Sequence, residues 1–408
     1  MRALIRLVVV CVFSSTLIMC MTACSGFVST PPPTHTPLPR VTMNYAVADQ
    51  ENNRVLIYNT PFSTDESASV VLGQADFTHG TVLPIAANTM DSPFSVAVDS
   101  SSNLYVADNG RCRVLQYKPP YTNGMSASAA IGEPDFVTQT CTDGASTLGY
   151  VMSIAIDGYG DLWVSDTSSH IVEFVPPFST GMSATLVIGQ TSLTSTAGCN
   201  QGGAAPTAST ICQAGGLAFD SSGDLWVSDT GNMRVLEFKP PFSTGMPASL
   251  ELGQPSGATA FSTATINNGG ISASTLYWPN KLAFDGDGNL WIPDSGNNRV
   301  LGYVPPFSNG MAATLEMGQS SGAAAFTSHS VATSQSGLTD PIGVSFDTSG
   351  NMQVDDYANS RVMIFMPPFS NGMNATTVLG QANFTSGSIN QGSIGANTLY
   401  YPIGGVTF

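Results

Sequence analysis

The stretch Gly215-Gly-Leu-Ala-Phe-Asp220, Ser-Ser-Gly-Asp224, Leu225-Trp-Val-Ser-Asp229, Thr-Gly-Asn-Met233, Arg234-Val-Leu-Glu-Phe238 decides the fold. Three short runs rich in β-branched, aliphatic and aromatic residues alternate with clusters of turn formers. A connector, Lys239-Pro-Pro-Phe-Ser-Thr-Gly-Met246, leads to a fourth run, Ala248-Ser-Leu-Glu-Leu-Gly-Gln254. Short apolar runs bounded by such turns read as four antiparallel strands, a to d. In the a–b turn, Asp220 is placed to bond its own backbone and Gly223 to supply a positive φ.

The whole unit repeats. The aspartate ending the second run returns as Asp49, Asp108, Asp166, Asp229, Asp294 and Asp356, at intervals of 59, 58, 63, 65 and 62 residues. The connector aromatic returns as Phe62, Tyr121, Phe178, Phe242, Phe307 and Phe369. Four strands repeated at a fixed period predict an all-β fold, a six-bladed β-propeller of four-stranded antiparallel blades. The ends fit closure. Asn44–Asp49 is a b strand with no a strand before it, and Tyr401–Phe408 is an a strand with nothing after it. N-terminal strands b to d and the C-terminal strand a therefore complete one blade.

The composite pattern Pro-x-Gly-Val-x-Phe-Asp, Gly-Asn-Leu-Trp-Val-x-Asp, Asn-x-Arg-Val-Leu resembles the NHL repeat across residues 43–408. That resemblance implies the propeller fold. It implies little about chemistry, because propellers of this kind include scaffolds, receptors and enzymes.

Residues 1–24 read as a lipoprotein-type signal: Arg2 and Arg6 precede the apolar run Leu7–Met19, and Met21-Thr22-Ala23-Cys24 resembles a lipobox. Cys24 is the expected lipid anchor, with an ordinary secretory signal as the alternative. Residues 25–42, rich in proline and threonine, form an extended spacer of up to roughly 50 Å. Both readings place the propeller outside the cytoplasm, secreted or as a membrane-tethered bacterial lipoprotein, touching the membrane only through the lipid.

The chain of 408 residues carries 28 acids and 12 bases. Removing Arg2 and Arg6 leaves 28 acids against 10 bases, a net charge of −18. No basic run remains to neutralise a phosphate backbone, so nucleic acid is excluded as a partner.

Arginine follows the second-strand aspartate by five residues at Arg54, Arg113, Arg234, Arg299 and Arg361. A charge-assisted pair across each b–c hairpin is expected to be structural. The third unit departs: Ile171 stands at that spacing and His170 precedes it. Asp166 beside His170 is thus a metal-ligand or proton-transfer candidate, set against simple loss of one pair. Asp285-Gly-Asp-Gly-Asn289 is a plain turn, since no bidentate acid closes a calcium loop. The histidines His79, His170 and His329 share no ligand-like spacing, so no metal and no cofactor is expected.

Enzymes among six-bladed relatives, such as lactonases and streptogramin lyases, place carboxylates, Asn or His around the central channel. The first residues of the a strands here are Ser95, Ser153, Gly216, Lys281, Gly343 and Gly405, preceded by Phe94, Met152, Gly215, Asn280, Ile342 and Gly404. These twelve positions hold no carboxylate and no histidine; Asn280 and Lys281 are the polar pair of note.

Four cysteines of the propeller suit an oxidising compartment. Cys199 with Cys212, and Cys112 with Cys141, are the expected disulfides, with other pairings and free thiols left open. The long d–a linkers gather on one face with both expected disulfides. The leading expectation is a monomeric, non-catalytic scaffold binding a protein or glycan there. The alternative is a propeller lyase or hydrolase acting in the channel near Asn280 and Lys281. A third reading is a structural envelope protein.

Overall fold

A computed structural model describes residues 44–408 apart from 196, 258 and 323. The signal, Cys24 and the spacer lie outside the described residues. Among those described, the strands form six four-stranded antiparallel sheets. Blade 1 joins β24 (Pro402–Thr407), β1 (Asn44–Asp49), β2 (Arg54–Asn59) and β3 (Val70–Leu72). Blade 2 is β4 (Pro93–Val98), β5 (Leu104–Asp108), β6 (Arg113–Tyr117) and β7 (Ala129–Ile131). Blade 3 is β8 (Val151–Ile156), β9 (Leu162–Asp166), β10 (Ile171–Phe174) and β11 (Leu186–Ile188). Blade 4 is β12 (Ala214–Phe219), β13 (Leu225–Asp229), β14 (Arg234–Phe238) and β15 (Leu250–Leu252). Blade 5 is β16 (Ala283–Phe284), β17 (Leu290–Asp294), β18 (Arg299–Tyr303) and β19 (Leu315–Met317). Blade 6 is β20 (Pro341–Phe346), β21 (Met352–Asp356), β22 (Arg361–Phe365) and β23 (Thr377–Leu379). The inner strands β24, β4, β8, β12, β16 and β20 contact one another in that cyclic order and surround the channel. The C-terminal strand pairs with β1, closing the ring as the sequence predicts.

Apolar side chains on both faces of each sheet pack against the neighbouring blades. Trp163, Ile171 and Ile188 of blade 3, for example, share a core with Leu225, Val227 and Phe238 of blade 4. The connector aromatics lock this stacking. Phe242 meets Trp163 edge-on at 4.8 Å, and Phe307 meets Trp226 at 4.8 Å. Each indole N–H then donates to an a–b turn, Trp163 to Asp157 at 3.2 Å and Trp226 to Asp220 at 3.2 Å. The aspartate of that turn also accepts backbone N–H groups, as Asp220 does from Ser222 and Asp224.

The expected Asp–Arg pairs are present in five blades at 2.6–2.8 Å, wholly buried. Each guanidinium also reaches the preceding linker: Arg234 donates to the carbonyls of Thr207 and Thr210, both at 2.9 Å. The repeat's arginine is thus the pin that holds a linker onto its blade. Cys112 is bonded to Cys141, and Cys199 to Cys212.

Blade 3 requires a correction to the sequence alignment. Ile171 pairs with Ser165, and the Asp166 N–H donates to the His170 carbonyl at 3.1 Å. In blade 4, Arg234 pairs with Asp229 and Val235 with Ser228. The third hairpin is one residue shorter, so His170, not Ile171, occupies the arginine's place in the ladder.

Candidate functional site

The channel carries the most unusual chemistry. Lys281 lies on the blade 5 inner edge, where its N–H donates to the Ile342 carbonyl at 3.0 Å. Its side chain crosses the channel to blade 2, opposite in the ring of six. There the amine donates to the Phe94 carbonyl and stands 5.4 Å from the centre of the Phe94 ring. Along the way it passes Gly404 of blade 1, where an added Cβ would sit 2.6 Å from Nζ. Gly404 also has a φ of 63°, which disfavours any side chain.

The inner-strand positions hold no carboxylate, but one, Asp355, is buried directly behind them. It belongs to the second strand of blade 6, but faces Gly343 on the inner strand. A Cβ on Gly343 would lie 2.1 Å from Asp355 Oδ2, so the carboxylate enters through the gap that this glycine leaves. Gly405 makes a second gap: its Cβ would lie 2.0 Å from the Tyr45 hydroxyl, which donates to Asp355 Oδ1 at 3.1 Å. The Gly405 N–H donates to Asp355 Oδ2 at 3.2 Å.

Burial sets the protonation of this group. It holds the Lys281 amine well below its ordinary pKa, against the opposing pull of the Asp355 charge. It raises Asp355, although the Gly405 N–H, the Tyr45 hydroxyl and Lys281 all favour its anion. Burial, then the Asp355 charge, pushes Tyr45 far up. Burial thus shifts the amine toward its neutral form and the carboxyl toward its protonated form, the directions that suit a base and an acid.

A cavity of about 230 Å³ extends from Lys281 along the inner strands toward the a–b turns. Its wall is apolar, with Val96, Ile154, Leu217 and Val344 among the lining residues. Asn280 does not join Lys281: its amide donates to Ser295 Oγ at 2.9 Å and to the Trp278 carbonyl, bracing the blade 5 hairpin.

Wider grooves of about 880 and 700 Å³ lie between blades 3 and 4 and between blades 4 and 5. They are walled by a–b turns and connectors, which recur as repeat grammar. The acids Asp224 and Glu237 in the second groove both pair with Lys239, at 3.2 Å from each.

Blade 3 holds the second candidate. His170 Nδ1 is 3.4 Å from Asp166 Oδ1 and 3.8 Å from Asp143 Oδ1. Asp143, on the linker after Cys141, gave no signal in the sequence. Burial raises its pKa, with the neighbouring Asp166 charge adding to the effect and Ser168 and His170 opposing it. Burial lowers His170, but the two aspartates outweigh it and the net shift is upward.

Around the d–a mouth stand exposed aromatics. Trp278 is 49 % exposed at a φ of 55°, and Tyr150 is 47 % exposed. Tyr401 stacks on Tyr357 at 4.4 Å. The same slot has a positive φ at Ser92, Gln213, Asp340 and Tyr401, so this backbone conformation belongs to the repeat.

The NHL repeat family pattern matches residues 212–238, so blade 4 contains an NHL repeat segment. No curated protein matches the chain. Among solved structures, a virginiamycin B lyase from Staphylococcus aureus is similar at 12 % identity, covering 70 % of this chain and 70 % of that chain, with a TM-score of 0.37. A protein of unknown function from Bacteroides caccae is similar at 9 % identity, covering 83 % and 98 %, with a TM-score of 0.46. A nidogen/laminin complex is similar at 15 % identity, covering 82 % and 97 %, with a TM-score of 0.45. These likenesses concern the fold.

Proposed function

We propose that this propeller is an extracytoplasmic lyase or hydrolase of small esters or lactones, acting in the channel with Lys281 as base and Asp355 as acid. The observation that supports it best is the set of inner-strand glycines, 343, 404 and 405, whose missing side chains make room for Asp355, Lys281 and Tyr45 around the inner strands of blades 6 and 1. In an elimination, Nζ takes a proton from the carbon next to the carbonyl and a C=C bond forms. The C–O bond breaks, and the leaving oxygen accepts the Asp355 proton. Tyr45 positions the carboxyl by its hydrogen bond. The cavity wall favours an apolar substrate body.

The test is turnover of a panel of lactones and cyclic esters, read by mass of the product. Loss of a positioned base costs about 10²–10⁴ in rate, so Lys281→Met and Asp355→Asn should each fall by at least 100-fold. Turnover unchanged in Lys281→Met, or none by the folded wild type, counts against the reading.

The aromatic rim favours a second reading, glycan binding at the d–a face with sugar rings stacked on Trp278 and Tyr401. On that reading Trp278→Ala abolishes capture on a glycan array, whereas Lys281→Met leaves it intact. The disulfides suit an oxidising compartment, consistent with a propeller held outside the cytoplasm by Cys24.

A further inference from the structure

In five blades a guanidinium fills the space between the second-strand aspartate and the linker. Blade 3 puts an imidazole there and adds a carboxylate. Asp166 and Asp143 are both buried or nearly so, at 3 % and 12 % side-chain exposure, and His170 is at 2 %. Two carboxylates and one ring leave negative charge in a place where the fold elsewhere supplies a cation. Burying unpaired charge is costly, so the cluster is stabilised by what balances it, a proton or a metal ion.

The distances say what. Arginine bonds its aspartate at 2.6–2.8 Å in the other blades, but His170 Nδ1 stands 3.4 and 3.8 Å from the two carboxylate oxygens. Those gaps are long for charge-assisted hydrogen bonds. They suit neighbouring ligands of a tetrahedral ion, which at bonds of about 2.0–2.2 Å lie roughly 3.3–3.5 Å apart. One ligand atom from each of the three residues falls within 4.8 Å of the others. Asp143 Oδ1 is buried without a hydrogen bond.

The surroundings are built for this. A Cβ on Gly149 would stand 2.8 Å from Asp143 Oδ1 and 3.5 Å from Asp166 Cγ, filling the space between them. The Cys112–Cys141 bond holds the linker two residues before Asp143. On the far side of the ring, His170 Nε2 makes no hydrogen bond of good geometry, and the Ser195 backbone is the acceptor it faces. A metal-binding histidine commonly directs its second nitrogen at such a carbonyl, which fixes the tautomer.

We infer that Asp143, Asp166 and His170 bind one divalent transition-metal ion of the zinc or manganese class, through His170 Nδ1 and one oxygen of each carboxylate. The nitrogen donor selects against calcium and magnesium, which take oxygen ligands. The ion does the arginine's work, pinning linker 134–150 to the blade 3 hairpin. Three protein ligands leave a fourth position for water. This site stands apart from the channel, and neither proposal depends on the other.

The experiment uses the propeller with its disulfides intact, stripped with a chelator and titrated calorimetrically with Zn²⁺, Mn²⁺ and Ca²⁺. One Zn²⁺ or Mn²⁺ per chain is expected, with Ca²⁺ at least 100-fold weaker. His170→Arg restores the repeat's own pair and should fold without metal while binding none. Asp143→Asn should weaken Zn²⁺ by at least 10-fold, and Lys281→Met should bind it as the wild type does. Failure of the folded wild type to bind either ion at 100 μM, taken as about a 10⁻⁴ M ceiling for a real site, overturns the inference. So does unchanged binding in both His170→Arg and Asp143→Asn, which would place the ion at His79, His329 or elsewhere.

Discussion

Lys281→Met separates a working amine from a structural plug without knowledge of any substrate. Methionine has a similar length and carries no charge. The substitution removes the bond to the Phe94 carbonyl and the contact with the Phe94 ring at 5.4 Å. A hydrogen bond to a charged group contributes about 1.5–3 kcal/mol, and a cation over a ring about 0.5–2 kcal/mol. Against this stands the cost of taking an ammonium out of water, several kcal/mol whether met by desolvation or by loss of the proton, and no carboxylate lies within ion-pair distance of Nζ to offset it among the described residues. The net expectation at pH 7 is that Lys281→Met is more stable than the wild type by about 1–3 kcal/mol.

The pH dependence sharpens this. Burial lowers the folded pKa of Lys281 below its unfolded value. The unfolded chain therefore binds the extra proton, and wild-type stability rises with pH up to the unfolded pKa near 10.5 and is lost as pH falls through the depressed folded value. One proton gives a slope of about 1.4 kcal/mol per pH unit. Urea midpoints followed by tryptophan fluorescence from pH 7 to 9.5 should converge on raising the pH, with the methionine variant ahead at the low end. A variant less stable than the wild type by a constant amount across that range would mean that Lys281 is a packing element, and the channel reading would lose its base.

Other expectations follow from the same geometry. Burial pushes Glu316 up to about 7, against the Gln319 N–H and the Arg299 charge. Its contribution is fully present below about pH 4.5 and is lost as pH rises through about 7, a change on the order of 3 kcal/mol; Glu316→Gln should remove that loss from urea midpoints taken between pH 5 and 8. Gly405→Ala drives a Cβ to within 2.0 Å of the Tyr45 hydroxyl and should cost about 2–4 kcal/mol. Adding Tyr45→Phe should recover part of it, and a strictly additive double variant would argue against the gap. Deleting residues 401–408 strips β24 from β1 and exposes a sheet edge; loss of the monomer peak on gel filtration is expected, and a monomer with unchanged unfolding would refute the closure argument.

Much of this protein was decided locally. The alternation of apolar runs and Asp-x-x-Gly turns fixes strands and hairpins because turn chemistry and side-chain period act over a few residues. The five Asp–Arg pairs were legible for the same reason, since a two-strand hairpin sets their spacing. The missing leading strand at Asn44 and the spare one at Tyr401 announced how the ring closes. Blade 3 shows the limit of spacing alone: a hairpin shorter by one residue moved His170 into the arginine's place, and only the ladder register reveals it. The channel group was hidden for a deeper reason. Tyr45 and Gly404 come from blade 1, Lys281 from blade 5 and Asp355 from blade 6, and ring closure brings them together. Asp355 sits on a second strand, where a side chain ordinarily stops at its neighbour. It reaches over the inner strand because the facing residue, Gly343, has no Cβ to block it. A glycine in a sequence reads as a turn or a weak point; whether it is a gap, and which side chain fills it, depends on which strand lies beside it.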